Sequence, residues 1–276
     1  MIGSTHARMT AEVNRQSKLS AEISRAQAQV SSGLRIGKPS DDPTGSARVS
    51  QIRRDQADLA QWTRNLEVGA GVAGRVDTVL EGVSTQVDRA RELIIQGRSG
   101  TYSAADRAIM AAELRGIAED IASQARTTDA NGRPLFPADE PLKLPIGSGL
   151  ALPATVSRDA AFGDLEVQIA AAADALEIED GVTRQAATGT ALDRLAQAGD
   201  TLTAVRSEQG LRAARFDAAL ERHAAATIDA KVERGAIEGT DLAETVAYIQ
   251  QTLLTLQASQ TTFARISAQT LFDILG

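Results

Sequence analysis

Apolar residues recur at heptad spacing at both ends of the 276-residue chain. Toward the C-terminus, Leu242, Ile249, Leu256 and Phe263 share one seven-residue phase, continued by Thr270. Val246, Leu253 and Ile274 share a second phase, with Gln260 and Ser267 between them. Toward the N-terminus, Ile2, Met9, Ile23 and Val30 share a phase with Gln16 in the gap, and Leu19 and Ala26 supply a second row. Each pattern is an a/d stripe on a helix. A lone helix with such a stripe leaves its apolar face in water, so each end needs a partner. The simplest partner for each is the other. The two termini are expected to pair as a coiled coil, with the rest of the chain looped between them.

The interior reads as further helices. The first, over 1–32, ends where Gly33, Gly37 and Pro39 interrupt it. Asp42 followed by Pro43 has the form of an N-cap and first helical residue, opening a helix to about 97. Val72, Val76, Val79, Val83, Val87, Ala90 and Ile94 step along it by threes and fours. Ser103 and Asp106 begin another helix with a stripe of Met110, Leu114, Ile117 and Ile121, and Asn131-Gly132 marks a turn. Leu142, Leu144 and Ile146 alternate, as do Leu150, Leu152 and Val156 beyond Gly147-Ser148-Gly149, which predicts a hairpin. Pro145 and Pro153 give both strands an edge-like character. A short helix over 162–178 follows, then a long one over 183–234 carrying Leu195, Leu202, Gln209, Phe216 and His223 in one heptad phase. Gly235 to Gly239 are expected to break it, and Asp241 with Glu244 resembles a capping pair for the last helix.

The expected fold is mainly α: a long antiparallel helical bundle with paired N- and C-terminal coiled-coil helices and a small β-hairpin insertion. Its expected domains are a terminal coiled coil (1–40 with 236–276), a helical rod (41–133 with 161–235) and the β insertion (134–160).

Composition narrows the function classes. Aromatic residues make up 3% of the chain, so its core is built from Leu, Ile, Val and Ala, which suits slender bundles. The formal net charge of −7 gives no basic surface for nucleic acid. Cysteine is absent, which removes disulfides, thiolate ligands and cysteine nucleophiles. No apolar run approaches membrane-helix length and no basic-then-apolar signal segment opens the chain, leaving a cytosolic protein or one secreted without a cleaved signal. Residues 1–60 carry nine Lys/Arg against six Asp/Glu, whereas 236–276 carry one against four, so opposite charge favours pairing of the ends.

Four constellations read more simply as structure than as chemistry. Gly69-Ala70-Gly71-Val72-Ala73-Gly74 fits a dinucleotide fingerprint, but that motif follows a strand and here the preceding residues are helical. Asp41-Asp42 stands before Pro43 and caps a helix rather than binding metal. His6 and His223 would have to meet each other and a carboxylate to bind metal, and His223 lies in a seam phase as a packed residue. Ser207, Glu208 and His223 share one helix and are too far apart along it for a triad. No catalytic residue, cofactor site or metal site is expected.

Several segments together resemble the bacterial flagellin superfamily. Ser31-Ser32-Gly33-Leu34-Arg35-Ile36 with Asp41-Asp42 is similar to its N-terminal signature. Arg91-Glu92-Leu93 through Gly100-Thr101 to Asp106-Arg107, and Asn131-Gly132-Arg133-Pro134-Leu135-Phe136, resemble its middle junction and the turn before its β region. Thr240-Asp241-Leu242-Ala243-Glu244 and Leu256-Gln257-Ala258 resemble its last helix. Within the superfamily, Val205-Arg206-Ser207-Glu208-Gln209-Gly210 and the ending Leu271-Phe272-Asp273-Ile274-Leu275 are closer to members at the hook–filament junction than to filament subunits. Those members usually carry a larger β-rich outer domain, here reduced to a hairpin.

The resemblance implies a secreted, self-assembling structural subunit of the flagellum. It is expected to lie between hook and filament, with the filament subunit as the alternative. Expected partners are further copies of itself in a ring or helical array, a neighbouring hook-associated protein, flagellin, the flagellar export apparatus and an export chaperone, without nucleic acid or membrane insertion. The expected assembly interface is Ile2, Met9, Ile23, Val30, Val246, Ile249, Leu253, Leu256, Phe263 and Ile274. A cytosolic coiled-coil scaffold is a further alternative, and it predicts folded termini in the free monomer.

Overall fold

The computed structural model describes the backbone of residues 2–275 and the side chains of residue 7 and of 9–265. The seam positions Ile2 and Ile274 therefore lie outside the described side chains. The chain is mainly helical. Its elements are α1 (Ile2–Ser32), α2 (Pro43–Gly97), α3 (Ala104–Gln124), β1 (Lys143–Gly147), β2 (Leu150–Pro153), α4 (Arg158–Phe162), α5 (Leu165–Glu177), α6 (Gly181–Glu238) and α7 (Leu242–Leu275). They form two compact units that divide within α2 and α6: Met1–Gln56 with Thr227–Gly276, and Ala57–Ala226.

Unit Ala57–Ala226 holds the continuous core. Its α2 and α6 segments run antiparallel: Gly69 lies against Phe216, the Gln209 amide donates to the Ala73 carbonyl at 3.2 Å, and Asp77 faces Arg206 at 3.8 Å. Along α2 the valine stripe is buried apart from Val79, which is partly covered. The α3 stripe of Met110, Leu114, Ile117 and Ile121 is buried with it. Helix α5 packs on α3 through Leu165, Ile169 and Leu176. Arg115 straps the two together on their outer edge, donating to Asp174 at 2.8 Å and Glu177 at 2.7 Å.

Local chemistry sets the element ends. Ser103 and Asp106 form a reciprocal capping box on α3. The Asp180 carboxylate accepts from the Thr183 N–H and hydroxyl at the start of α6. Asp129 organises the turn before the hairpin: its carboxylate accepts from the Asn131 and Arg133 N–H groups at 2.8 and 2.9 Å and pairs with the Arg133 guanidinium. These bonds to the charged form hold Asp129 below the usual carboxylate range, the Arg133 N–H first among them. Leu135 and Phe136 are thereby delivered to the core, where Phe136 meets Phe162 edge to face at 4.8 Å.

The hairpin pairs Leu144 with Leu152 and Gly147 with Leu150, with a bulge between Pro145 and Gly147. Leu144 and Ile146 are buried and Leu142 packs at the edge of the core, while Leu150 is exposed. Polar ties fix the hairpin to the helices. Gln209, fully buried, donates to the Ala154 carbonyl at 3.0 Å. Arg212 donates to the Thr155 carbonyl at 2.6 Å, and Asn65 to the Pro145 carbonyl at 2.8 Å.

The helix expected over about 162–178 is α5 (Leu165–Glu177), but the short α4 before it is not among the expected elements; Gly163, at φ +49, separates the two. One boundary needs correction. The long helix does not stop at Gly235. It continues to Glu238, and the break falls at Gly239, whose N–H still bonds back to the Gly235 carbonyl at 2.8 Å.

Unit Met1–Gln56 with Thr227–Gly276 buries far less. Ile23, Ala26, Val49 and Ile52 are its buried apolar residues among those described, joined by Thr252 and Glu238. Here α1 packs against α7, and Arg48 of α2 bonds Glu233 of α6 at 2.6 Å.

Candidate assembly surface and the loop clamp behind it

Helices α1 and α7 pair along their inner faces. On α1 the covered row is Glu12, Gln16, Leu19, Ile23, Ala26 and Val30. On α7 it is Thr245, Ile249, Thr252, Leu256, Ser259 and Phe263. Both rows step by threes and fours, the spacing that keeps a stripe on one helix face. The seam is half polar. The Gln16 amide donates to the Ser259 hydroxyl at 3.5 Å, Ser259 also bonds Glu12, and the Tyr248 hydroxyl donates to Glu22 at 3.0 Å. Gln16, which sequence reading left as a gap in the stripe, is half-buried and bonded across the seam, while Gln260 is exposed.

The sequence-derived interface residues divide into two groups. Ile23, Val30, Ile249, Leu256 and Phe263 lie in the covered rows. Met9, Val246 and Leu253 do not: they are 46%, 40% and 38% exposed. The second row of α7 is thus displaced by one residue from the expected Val246–Leu253–Gln260 phase. Hydroxyl-bearing Thr245, Thr252 and Ser259 take the inner positions, and Thr252 returns its hydroxyl to the Tyr248 carbonyl at 2.7 Å. That bond satisfies the Thr252 hydroxyl within its own helix, and Ser259 answers the polar Glu12 and Gln16 opposite. Val246 and Leu253 are left on the flank, where Leu242 is also exposed; on α1, Val13 is exposed like Met9.

Behind this pair, the α1–α2 and α6–α7 loops are bonded to each other. Leu34 bridges Gly239, the Arg35 N–H donates to the Glu238 carbonyl at 2.7 Å, and the Thr240 N–H donates to the Gly33 carbonyl at 3.1 Å. The Arg35 guanidinium donates to the Ile237 carbonyl at 2.8 Å and to Asp42 at 3.2 Å. The adjacent carboxylates are structural. Asp41 accepts from the Gly37 and Lys38 N–H groups, and Asp42 caps α2 through the Gly45 N–H at 2.8 Å. That backbone bond, then the Arg35 guanidinium, holds the Asp42 carboxyl below its usual range. Asp241 caps α7 through the Ala243 and Glu244 N–H groups at 2.9 and 3.1 Å.

The other constellations also resolve as packing. The Gly69–Gly74 run lies inside α2; Gly69 meets Phe216, whereas Gly71 and Gly74 face open space. His223 sits edge-on to Trp62 at 6.0 Å. A groove of about 390 Å³ joins Arg126, Arg158, Asp159 and Glu166 over Ile121 and Phe162. Its charged lining is these two arginines and two carboxylates, without hydroxyl, thiol or imidazole groups. Among the described residues, no helix is long and apolar enough to cross a membrane, and no cluster of His, Asp or Glu could hold a metal ion.

The model of the bacterial flagellin N-terminal helical region matches residues 4–140. This stretch is similar to the flagellin N-terminal region. It contains α1, the Arg35–Asp42 loop, α2, α3 and the Asp129 turn. The chain is 33% identical over 116 residues to flagellar hook-associated protein 3 of Escherichia coli K12, an alignment covering 42% of this chain and 37% of the relative. The hook-associated protein 3 of Salmonella typhimurium matches equally, again over 37% of its length. Phase 1 flagellin of Salmonella naestved is more distant, at 29% over 135 residues, 49% of this chain and 27% of the flagellin. The chain thus spans well under half the length of the curated relatives it matches. In fold it is similar to a candidate flagellar hook-associated protein of Vibrio parahaemolyticus, with a TM-score of 0.67 and 19% identity over 72% of this chain and all of that one. It is also similar to the flagellar junction protein FlgL of Legionella pneumophila, with a TM-score of 0.57 and 10% identity over 70% of this chain and all of that one.

Proposed function

We propose that this chain is a non-enzymatic structural subunit of the bacterial flagellum, joining hook to filament by self-assembly through its terminal helices. The observation that carries the reading is the flank of the α1–α7 pair. Met9, Val13, Leu242, Val246, Leu253 and Leu254 are exposed on helices whose inner seam is half polar. Burial is worth about 25 cal/mol per Å² of apolar surface, so this flank favours association. Repeating one such surface from copy to copy generates a ring or helical array. The likeness to hook-associated protein 3 supports the junction as the site of that array.

On this reading the neighbours are a hook-associated protein on one side and flagellin on the other. Export precedes assembly: the chain passes unfolded through the flagellar export apparatus, accompanied by an export chaperone, and acts outside the cell. A chain without cysteine needs no reduction of disulfides before unfolding, which suits that route. Immunogold labelling of isolated flagella tests the proposal. Label confined to the hook–filament boundary is the expected result. Label along the filament would make the chain a flagellin, and unlabelled flagella with cytosolic signal would overturn the flagellar reading.

A further inference from the structure

The α1–α7 seam has a degeneracy of its own. Sliding α7 by one heptad puts Ile249 where Leu256 was and Thr252 where Ser259 was. Each replacement is close in chemistry, so the seam distinguishes its own registers poorly. Yet the observed contacts follow one antiparallel register. Leu34 meets Gly239, Glu22 meets Tyr248 and Gln16 meets Ser259, each pair farther from the loops than the last.

The loop clamp lies at the origin of that series and is built from groups with no equivalent one heptad away. Helix α6 ends with carbonyls that lack intrahelical partners. Arg35, from a different segment, satisfies two of them: its guanidinium takes the Ile237 carbonyl and its N–H takes the Glu238 carbonyl. Glu238 is 7% exposed, an acid at the negative end of a helix dipole. Arg53 at 2.9 Å and Arg234 at 3.0 Å hold its carboxylate. A buried carboxylate is tolerated only when so paired. The Arg234 guanidinium is in turn fixed on Gln56 at 2.9 Å. Gly33, Arg35, Glu238 and Thr240 are thus tied in one position, and α1 and α7 leave from those ties.

We propose that this clamp is a register latch: it selects one heptad alignment of α1 on α7 from those the seam accepts. In doing so it determines which flank residues of the two helices stand opposite one another. This consequence for the assembly surface rests on the function proposed above, whereas the latch itself is a property of the single chain.

The absence of native cysteine makes the latch measurable in the full-length protein. Disulfide formation requires Cα atoms within about 7 Å, so paired cysteines report register. Three double-cysteine variants are compared under mild oxidation at low protein concentration. Gln16→Cys with Ser259→Cys reports the observed register. Gln16→Cys with Thr252→Cys and Ile23→Cys with Ser259→Cys report slips of one heptad in either direction. In the parent, the first pair is expected to close with about tenfold preference over both others. Adding Arg35→Ala, or separately Thr240→Pro to remove the backbone donor to Gly33, is expected to reduce that preference to about twofold or less. An unchanged preference in both latch variants overturns the proposal, as does equal closure of all three pairs in the parent. These outcomes leave the labelling test untouched: label at the boundary with an unchanged register preference means the function holds and the latch fails.

Discussion

Gly69 and Gly71 stand two residues apart on α2, and alanine should act on them with opposite sign. An added Cβ at Gly69 would run into the Phe216 ring, with Cζ and Cδ1 at 2.6 and 2.8 Å. Phe216 is fully buried, so its ring has no open side to retreat into. At Gly71 and Gly74 nothing lies within 4 Å of the added carbon. Replacing glycine by alanine inside a helix stabilises by about 1 kcal/mol. Overpacking a closed core costs about 1–3 kcal/mol. Gly71→Ala and Gly74→Ala are therefore expected to stabilise unit Ala57–Ala226 by about 1 kcal/mol each. Gly69→Ala should give about 0–2 kcal/mol of net destabilisation. For a unit of this size each kcal/mol moves Tm by about 2–4 °C, within reach of a calorimetric scan. Adding Phe216→Leu should recover part of the Gly69→Ala loss, because the two side chains would compete for one space. Gly69→Ala melting with or above Gly71→Ala would refute the packing argument and leave the glycine run without a structural reason.

Further tests address the seam, the hairpin and pH. Leu256→Asp places a carboxylate in the covered row and should abolish α1–α7 pairing, seen as lost disulfide closure of the Gln16→Cys with Ser259→Cys pair. Leu253→Asp, on the flank, should leave that pairing intact and block incorporation, so that cells shed flagellin into the medium; normal filaments would show that the flank is not an assembly surface. Hydrogen exchange should be fast over residues 9–38 and 240–265 and slow over 72–96 and 192–220, where burial is continuous; uniform protection would favour a cytosolic scaffold. Leu144→Asp should destabilise the core by about 1–3 kcal/mol, whereas replacing Gly147-Ser148-Gly149 with another flexible turn should leave motility intact. The folded Asp129 carboxyl lies below its ordinary 3.8, so its stabilisation is fully present above that value and is lost as pH falls through the lower folded value. Asp129→Asn should therefore flatten the acid limb of the stability–pH curve while leaving its slope above pH 5 unchanged within error.

Much of the fold was legible because it is written in local chemistry. The valine stripe of α2, the Ser103–Asp106 box, the Asp42-Pro43 start and the alternation at Leu142–Ile146 each carry their structural reason within a few residues. The heptads at the two ends likewise identified α1 and α7 as partners. Three features were less legible, each for a physical reason. The split between α4 and α5 turns on the backbone sign at Gly163, which apolar periodicity does not encode. The inner row of α7 lies one residue from the apolar heptad, because bonded threonines at 245 and 252 take inner positions that the apolar pattern gives to Val246 and Leu253. The ties of Arg35 to Ile237 and of Arg53 to Glu238 span 202 and 185 residues, and nothing near Arg35 names its partners. One signal pointed toward them: an arginine and an acid pair packed into a short loop between two long helices, at the heart of the flagellin-like signature.

The offset of that inner row bears on how the surface works. A seam that buried Val246 and Leu253 would satisfy the two helices within one molecule and leave little to offer a neighbour. The observed arrangement does the reverse. Bonded hydroxyls share the inside with Ile249, Leu256 and Phe263, each hydrogen bond adding only about 0.5–1.5 kcal/mol net, while Val246 and Leu253 remain on the flank. A pair held weakly inside, with its apolar area outside, gains most of its burial only when another molecule covers it. Unit Ala57–Ala226 has no such need, since its valine, leucine and phenylalanine side chains are already enclosed. The two units thus differ physically: one encloses its apolar side chains, and the other leaves apolar side chains exposed on its terminal helices.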